Sequence, residues 1–100
     1  MKTKEINEHL FKRSQSWHYH WIGKLGKKSV KIEIKRNAYD SQSGIRGFVM
    51  TNDTWSKIVY RPIISSPVKE ISYVDKNPDI QLFQTERDSV LEELSQLIET

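Results

Sequence analysis

The clearest pattern in the sequence is an alternation of large apolar and polar residues in two neighbouring segments. Trp17, Tyr19 and Trp21 alternate with His18, His20 and Ile22, and the apolar residues of 30–34 alternate with charged ones. A period of two is the side-chain period of a β-strand that buries one face. Residues 23–28 contain two glycines and three lysines, which predicts a turn. The pattern therefore predicts a β-hairpin.

A shared apolar face determines the register that we expect for this hairpin. Pairing Ile22 with Ser29 places Trp21 opposite Val30 and His18 opposite Glu33. A slip of one residue would bury lysines, so the two alternations support each other. The polar face of the hairpin then carries His18, His20, Lys31, Glu33 and Lys35.

A second hairpin is predicted from residues 45–51 and 55–61, joined around Asn52–Thr54. Pairing Thr51 with Trp55 puts Arg46 opposite Tyr60. We expect the buried face to carry Phe48, Met50, Ile58 and Tyr60, and the other face to carry Val49, Lys57, Val59 and Arg61.

Helices are predicted at both ends of the chain. Residues 3–13 are expected to form a short helix, because Ile6, Leu10 and Phe11 fall on one side at near-helical spacing. A firmer helix follows Thr85, which has capping spacing to Asp88. Its apolar stripe is formed by Val90, Leu91, Leu94, Leu97 and Ile98.

The segments between the second hairpin and the final helix are expected to break and resume the sheet. Pro62 and Pro67 bound a break in strand structure. Residues 68–74 predict a fifth strand, in which Ile71 and Tyr73 alternate. Residues 80–84 are consistent with either a short sixth strand or a lead-in to the helix.

These elements predict a two-layer α+β domain spanning residues 1–100, with an antiparallel sheet of five or six strands against the C-terminal helix and a short N-terminal helix. One helix of about 14 residues spans only about 21 Å, which is little cover for the large apolar face expected. The sheet therefore curls, self-associates as a homodimer, or lines a ligand pocket with the uncovered aromatics. We favour curling together with a homodimer.

Length and composition exclude several classes of protein. A chain of 100 residues is too short for a kinase, a Rossmann dehydrogenase or a TIM barrel. The absence of cysteine excludes disulfides, cysteine-ligated zinc and thiol catalysis. No apolar run approaches a membrane span, and the charged N-terminus does not have the pattern of a signal peptide. We predict a cytoplasmic, non-enzymatic protein without cofactor, metal or membrane partner.

Charge is divided unevenly along the chain. Residues 1–50 carry a net charge of +7 and residues 51–100 a net charge of −4, within an overall +3. This division suggests an electric dipole across the folded domain, which orients the protein toward a polyanion or another copy of itself. We expect the polar sheet face and the loop of residues 37–47 to contact an acidic protein partner. The predicted binding residues are His18, His20, Lys31, Lys35, Tyr39, Arg46, Lys57 and Arg61.

Three alternatives use the same residues or the core. Clustered cations also bind nucleic acid, but the expected registers leave only Trp55 on that face for base stacking. His18 and His20 are on one side of a strand and suit a ribonuclease-like enzyme, or a metal site if His9 or Glu33 supplies a third ligand. A pocket between the helix and the sheet, beside Trp17 or Trp21, would bind a small molecule.

Overall fold

The computed structural model describes residues 3–37, 43–71 and 78–98, and it confirms an α+β class with an antiparallel sheet and a C-terminal helix. Five strands form one sheet in the order β1-β2-β3-β4-β5. Within the described residues, no helix is both long and apolar enough to cross a bilayer. The elements are β1 (Thr3–Arg13), β2 (Ser16–Leu25), β3 (Lys28–Asn37), β4 (Gly44–Thr51), β5 (Thr54–Arg61), two 3-10 turns (Ile63–Ser65 and Pro67–Glu70) and α1 (Ile80–Ile98).

The N-terminal segment is an edge strand, so the predicted helix over residues 3–13 is wrong. β1 pairs antiparallel with the whole of β2, and Leu10 lies opposite Tyr19. A tight turn joins the two strands, with Ser14 in the left-handed conformation at φ 57°. The spacing of three apolar residues in a short segment is weak evidence for a helix, and a neighbouring strand with free backbone groups outweighs it.

The first predicted hairpin forms, but its register differs by two residues. Trp21 pairs with Ile32 and Tyr19 with Ile34, because both strands continue to a two-residue turn closed by Gly26 at φ +64°. A shift of two residues leaves every side chain on its predicted face. The apolar side of this hairpin is accordingly buried, as expected.

The second hairpin also forms, but its two faces are inverted relative to the prediction, except that Lys57 lies on the face away from α1 as expected. Arg46 pairs with Tyr60 as expected, whereas Phe48 pairs with Lys57 and not with Ile58. A bulge between these pairs leaves Ile58 unpaired, and the turn is a two-residue one at Asn52 and Asp53, both with positive φ. Residues predicted to be buried are partly or largely exposed, namely Phe48, Met50, Ile58 and Tyr60. The buried residues on this hairpin are Gly44, Ile45, Gly47, Val49 and Val59.

The small side of β4 faces inward because the helix packs closely there. A Cβ atom built on Gly47 would lie 2.9 Å from Val90 Cγ1 and 3.4 Å from Leu94 Cδ1. The absent side chain at Gly47 therefore lets two helical core residues approach the strand backbone. A bulky inner row of Phe48 and Met50 would not permit that approach, which is the physical reason for the inversion.

The segment after β5 contains no further strand among its described residues. The predicted break between Pro62 and Pro67 is present, but residues 67–70 form a 3-10 turn where the fifth strand was expected. Ile71 is buried as predicted, and residues 72–74, including Tyr73, lie outside the described residues. The strand alternative for 80–84 is wrong, because α1 begins at Ile80. Asp79 caps its first turn by accepting a hydrogen bond from the backbone N–H of Gln81 at 2.9 Å.

A buried polar cluster ties the edge strand β1 to the helix. Tyr19 is fully buried, and its hydroxyl donates a hydrogen bond to Glu8 Oε2. From α1, Arg87 Nη1 donates to Glu8 Oε2 at 2.9 Å and to the Tyr19 hydroxyl at 3.2 Å, and Gln84 Nε2 donates to Glu8 Oε2 at 3.2 Å. Burial and the hydrogen bond to Glu8 raise the pKa of Tyr19 well above its ordinary value, so the hydroxyl keeps its proton.

Replacing Glu8 with alanine is expected to lower the free energy of unfolding by about 2–4 kcal/mol, because the buried Tyr19 hydroxyl loses its acceptor and Arg87 loses its less exposed ionic partner while keeping Asp88. Urea unfolding of the variant measures this loss. Glu5→Ala, at an exposed position of the same strand, is the control and should change the value by less than about 0.5 kcal/mol. Equal losses in the two variants would contradict a role for the cluster.

Candidate functional site

The sheet has one face under α1 and one face that no described element covers. Cross-strand partners lie on the same side of a sheet, and successive residues alternate between sides. The registers therefore define the uncovered surface, which we call the open face. Its aromatic and histidine side chains are His9, Phe11, His18, His20, Phe48, Trp55 and Tyr60, and its cations are Lys4, Arg13, Lys24, Lys31, Lys35, Arg46 and Lys57.

Four rings form a stacked cluster on β1 and β2 at one side of the open face. His9 pairs with His20 across the strands, and their rings are stacked with centroids 5.5 Å apart. Phe11 pairs with His18 and stacks on it at 5.1 Å. Stacking of this kind holds the rings in a continuous layer. We call these four residues the histidine cluster.

A second cluster, on β3, β4 and β5, combines rings with cations. Lys31 Nζ lies 4.5 Å from the centroid of the Phe48 ring and 5.0 Å from that of Trp55. Arg46 and Lys57 approach the Tyr60 ring, at 5.4 Å and 5.6 Å respectively. These are cation–π distances. The cations are thereby held beside aromatic surfaces, and we call these six residues the cation–aromatic cluster.

Glycine at position 44 makes room for one ring of the cation–aromatic cluster. A Cβ atom on Gly44 would lie only 2.8 Å from Tyr60 Cε2. The ring therefore rests directly on the β4 backbone, where a larger residue would displace it. Tyr60 still keeps 52% of its surface exposed, so the ring is positioned without being buried.

Glu33 lies between the two clusters, at the middle of the central strand β3. It pairs with His20 on one side and with Arg46 on the other. Its Oε1 lies 3.4 Å from Lys31 Nζ and 4.0 Å from His20 Nδ1. Among the described residues, Glu33 is the one carboxylate at an outward position of the strands, so the open face is strongly cationic around it.

The structure brings together six of the predicted binding residues and separates one from them. The residues that share the open face are His18, His20, Lys31, Lys35, Arg46 and Lys57. Arg61 was expected there but lies on the helix side, where Nη2 donates to Glu93 Oε2 at 2.6 Å and Nη1 to the Ser89 hydroxyl at 2.7 Å. Tyr39 lies outside the described residues.

Sequence reasoning placed His18, His20 and Trp55 on this face and missed Phe11, Phe48 and Tyr60. Phe48 and Tyr60 were expected in the core because the hairpin was inverted, and Phe11 because β1 was expected to be a helix. Gly47 is the residue in the sequence that could have indicated which face of β4 is buried. An inward row of Ile45, Gly47 and Val49 matches the pairs that β3 offers through Ile34, Ile32 and Val30.

Within the described residues, no observation supports a metal site at His18 and His20 or a ligand pocket beside Trp17 or Trp21. Among the described residues, no group of three or more His, Asp or Glu side chains is arranged to hold a metal ion. A cleft of about 230 Å³ lies at the β5–α1 edge, lined by Arg61, Pro62, Ser66, Glu86 and Ser89. Trp17 and Trp21, beside which a ligand pocket was expected, do not line it and are buried in the core.

His18 and His20 of the open face are held in surroundings that favour their neutral forms. Burial lowers the pKa of His18, and Lys35, His20 and Arg13 lower it further against the opposing effect of Glu33. Burial also lowers the pKa of His20, with Glu33 opposing and His9 and Lys31 reinforcing the change. Both imidazoles are therefore mainly neutral at pH 7.

The stability of the protein is expected to fall as pH drops below the ordinary histidine value of 6.5. A lowered pKa in the folded state means that the unfolded chain binds more protons in that range, so acid favours unfolding. Urea unfolding at about pH 8 and pH 5 measures the change. The His18→Gln/His20→Gln variant should lose less stability between these pH values than the unchanged protein, and an equal loss would contradict this assignment.

Comparison with known proteins leaves the open face to be interpreted from its own chemistry: no family model, curated protein or solved structure matches the chain.

Proposed function

We propose that the protein binds single-stranded nucleic acid on the open face. The observation that carries the proposal is that rings and cations share this face, with Lys31 Nζ 4.5 Å from the Phe48 centroid and 5.0 Å from the Trp55 centroid. Proteins that bind single strands combine cations, which contact the phosphates, with rings on which bases stack. The sequence predicted Trp55 as the one stacking ring on this face, which weighed against this function, and the presence of Phe11, Phe48 and Tyr60 on the same face supports it.

The rings favour a single strand over a duplex. Stacking on an aromatic side chain requires the flat face of a base, which a duplex keeps within its own stack. Phe48 and Trp55 are half-buried, Phe11 is 37% exposed and Tyr60 is 52% exposed. Each ring therefore has solvent-exposed surface while remaining packed on the sheet. Stacking of this kind tolerates any base, since every base has a π-face.

The close spacing of rings and cations also suits the repeat of a nucleotide chain. Each nucleotide carries one base and one phosphate, so a binding surface needs the two kinds of contact side by side. In the cation–aromatic cluster every cation lies within 6 Å of a ring centroid. The histidine cluster, on the β1–β2 side of the same open face, also has cations beside it. Arg13 and Lys35 lie close enough to His18 to lower its pKa.

The opposite side of the molecule carries much of the negative charge. On α1, Asp88 and Glu92 are exposed and Glu93 is half-buried, and Arg87 of the same helix is occupied by Glu8 and Asp88. A polyanion that approaches the protein is therefore attracted to the open face and repelled from the helix. This distribution supports a polyanionic partner for the open face.

An acidic protein partner and a homodimer both stay predictions. An acidic protein would use the same cations, but it has no need of the rings beside them. Residues 38–42 of the loop expected to contact the partner lie outside the described residues, whereas Gly44–Gly47 belong to β4.

Two substitutions on the open face are expected to weaken binding to a labelled oligouridylate or oligothymidylate of about ten nucleotides. Trp55→Ala removes a stacking surface and should raise Kd about ten-fold or more, since one stacked base contributes about 1–3 kcal/mol. Lys57→Ala removes a phosphate contact and should reduce the slope of log K against log salt by about 0.7. Fluorescence anisotropy across a salt series measures both effects.

Matched variants on the other side of the protein serve as controls. Ile64→Ala removes a side chain that is 68% exposed, and Lys69→Ala removes an exposed cation. Neither should change Kd or the salt slope. Quenching of Trp55 fluorescence on binding gives a second measurement, since Trp17 and Trp21 are buried. Salt-insensitive binding, or no binding, to every strand would overturn the proposal, and binding of an acidic protein instead would favour the alternative partner.

A further inference from the structure

We propose that Glu33 selects guanine in the strand bound to the open face, an inference that rests on the proposed nucleic-acid function. Glu33 is on the central strand, with the histidine cluster on one side and the cation–aromatic cluster on the other. A strand that stacks on both clusters has to cross Glu33. The side chain is 31% exposed, so its carboxylate is accessible to the nucleotide above it.

A carboxylate at this place repels phosphate and therefore favours a base. Phosphate has cations available at neighbouring positions of the open face, in Lys31, Lys35 and Arg46. The surface thus separates places that attract phosphate from one that accepts hydrogen bonds. The described ion pairs of Glu33 are made by Oε1, to Lys31 and His20, and Oε2 has no such partner within the described residues.

Guanine is the base whose edge matches a carboxylate. Its Watson–Crick edge presents the N1–H and the N2 amino group side by side, so both donate to one carboxylate in parallel. Adenine and cytosine each present an amino group next to a ring nitrogen that is an acceptor, and that acceptor repels the carboxylate. Uracil presents one N–H between two carbonyl acceptors. Single-stranded bases expose these edges to side chains.

A structural role of Glu33 makes a different prediction. If the carboxylate served only to offset the charge of Lys31 and its neighbours, removing it would strengthen binding to every strand by the same factor. If it reads guanine, its removal strengthens binding to strands without guanine and abolishes the advantage of guanine. The two roles are therefore separated by comparing bases within one variant.

The experiment measures Kd by fluorescence anisotropy for oligouridylates of about ten nucleotides that carry one central guanine, inosine, adenine or cytosine. The unchanged protein should bind the guanine strand about ten-fold more tightly than the adenine strand. Inosine lacks the N2 amino group and should bind with intermediate affinity. Glu33→Gln, which keeps the side-chain shape but offers one acceptor, should bind all four strands with similar Kd. Glu92→Gln, at an exposed position of α1, is the control and should keep the guanine preference.

Each outcome decides between the two proposals. Binding to all strands with equal affinity would overturn the guanine assignment and leave the nucleic-acid function supported. A preference for cytosine or adenine, or a guanine preference that persists in Glu33→Gln, would also overturn the assignment. Absence of binding to every strand would overturn both. The continued binding of Glu33→Gln to the oligouridylate background shows that the variant is folded.

Discussion

A five-stranded sheet has two faces, and the described part of this chain supplies one helix to cover them. Burying large apolar side chains stabilises a small domain by about 25 cal/mol per Å², so the helix determines which face becomes the core. Val90 and Leu94 meet the sheet at Gly47, and Arg87 joins it to β1 through Glu8. The remaining face is then open to solvent. The set of side chains on the open face therefore follows from the packing of α1 against the other face of the sheet.

The two layers also separate the charges of the chain. Six of the eleven cations of residues 1–50 lie at outward positions of the strands, and four of the nine carboxylates of residues 51–100 lie on α1. Aromatic rings at a solvent-facing surface carry a solubility cost, and here they are accompanied by lysine and arginine at cation–π distances. The charged groups beside the rings offset that cost, an arrangement that a merely solvated surface does not require.

Period-two alternation identified the first hairpin and its buried face, and helical spacing identified α1, because both signals come from many large residues in sequence. The N-terminal strand was missed because three apolar residues, Ile6, Leu10 and Phe11, are too few to distinguish a helical period of about 3.6 from a strand period of two. Pairing with β2 determines that the segment is a strand. The faces of the second hairpin were assigned wrongly because Phe48 and Tyr60 have more apolar surface than Ile45, Gly47 and Val49. Inward packing there depends on the fit of a helix to Gly47, a contact between positions about 40 residues apart in the chain. The cations of the site were predictable from charge, whereas its rings depended on this long-range fit.

The unpaired Ile58 has a consequence for how this surface tolerates change in length. Between Tyr60 and the hairpin tip, one extra residue in β5 moves Trp55 from a position opposite Thr51 to one opposite Met50, and Lys57 from opposite Val49 to opposite Phe48. The outward placement of both side chains thus depends on the number of residues in the hairpin as much as on their identity. A change in the number of residues between Trp55 and Tyr60 that restored regular pairing at the tip would turn Trp55 and Lys57 away from the open face, with both amino acids still present.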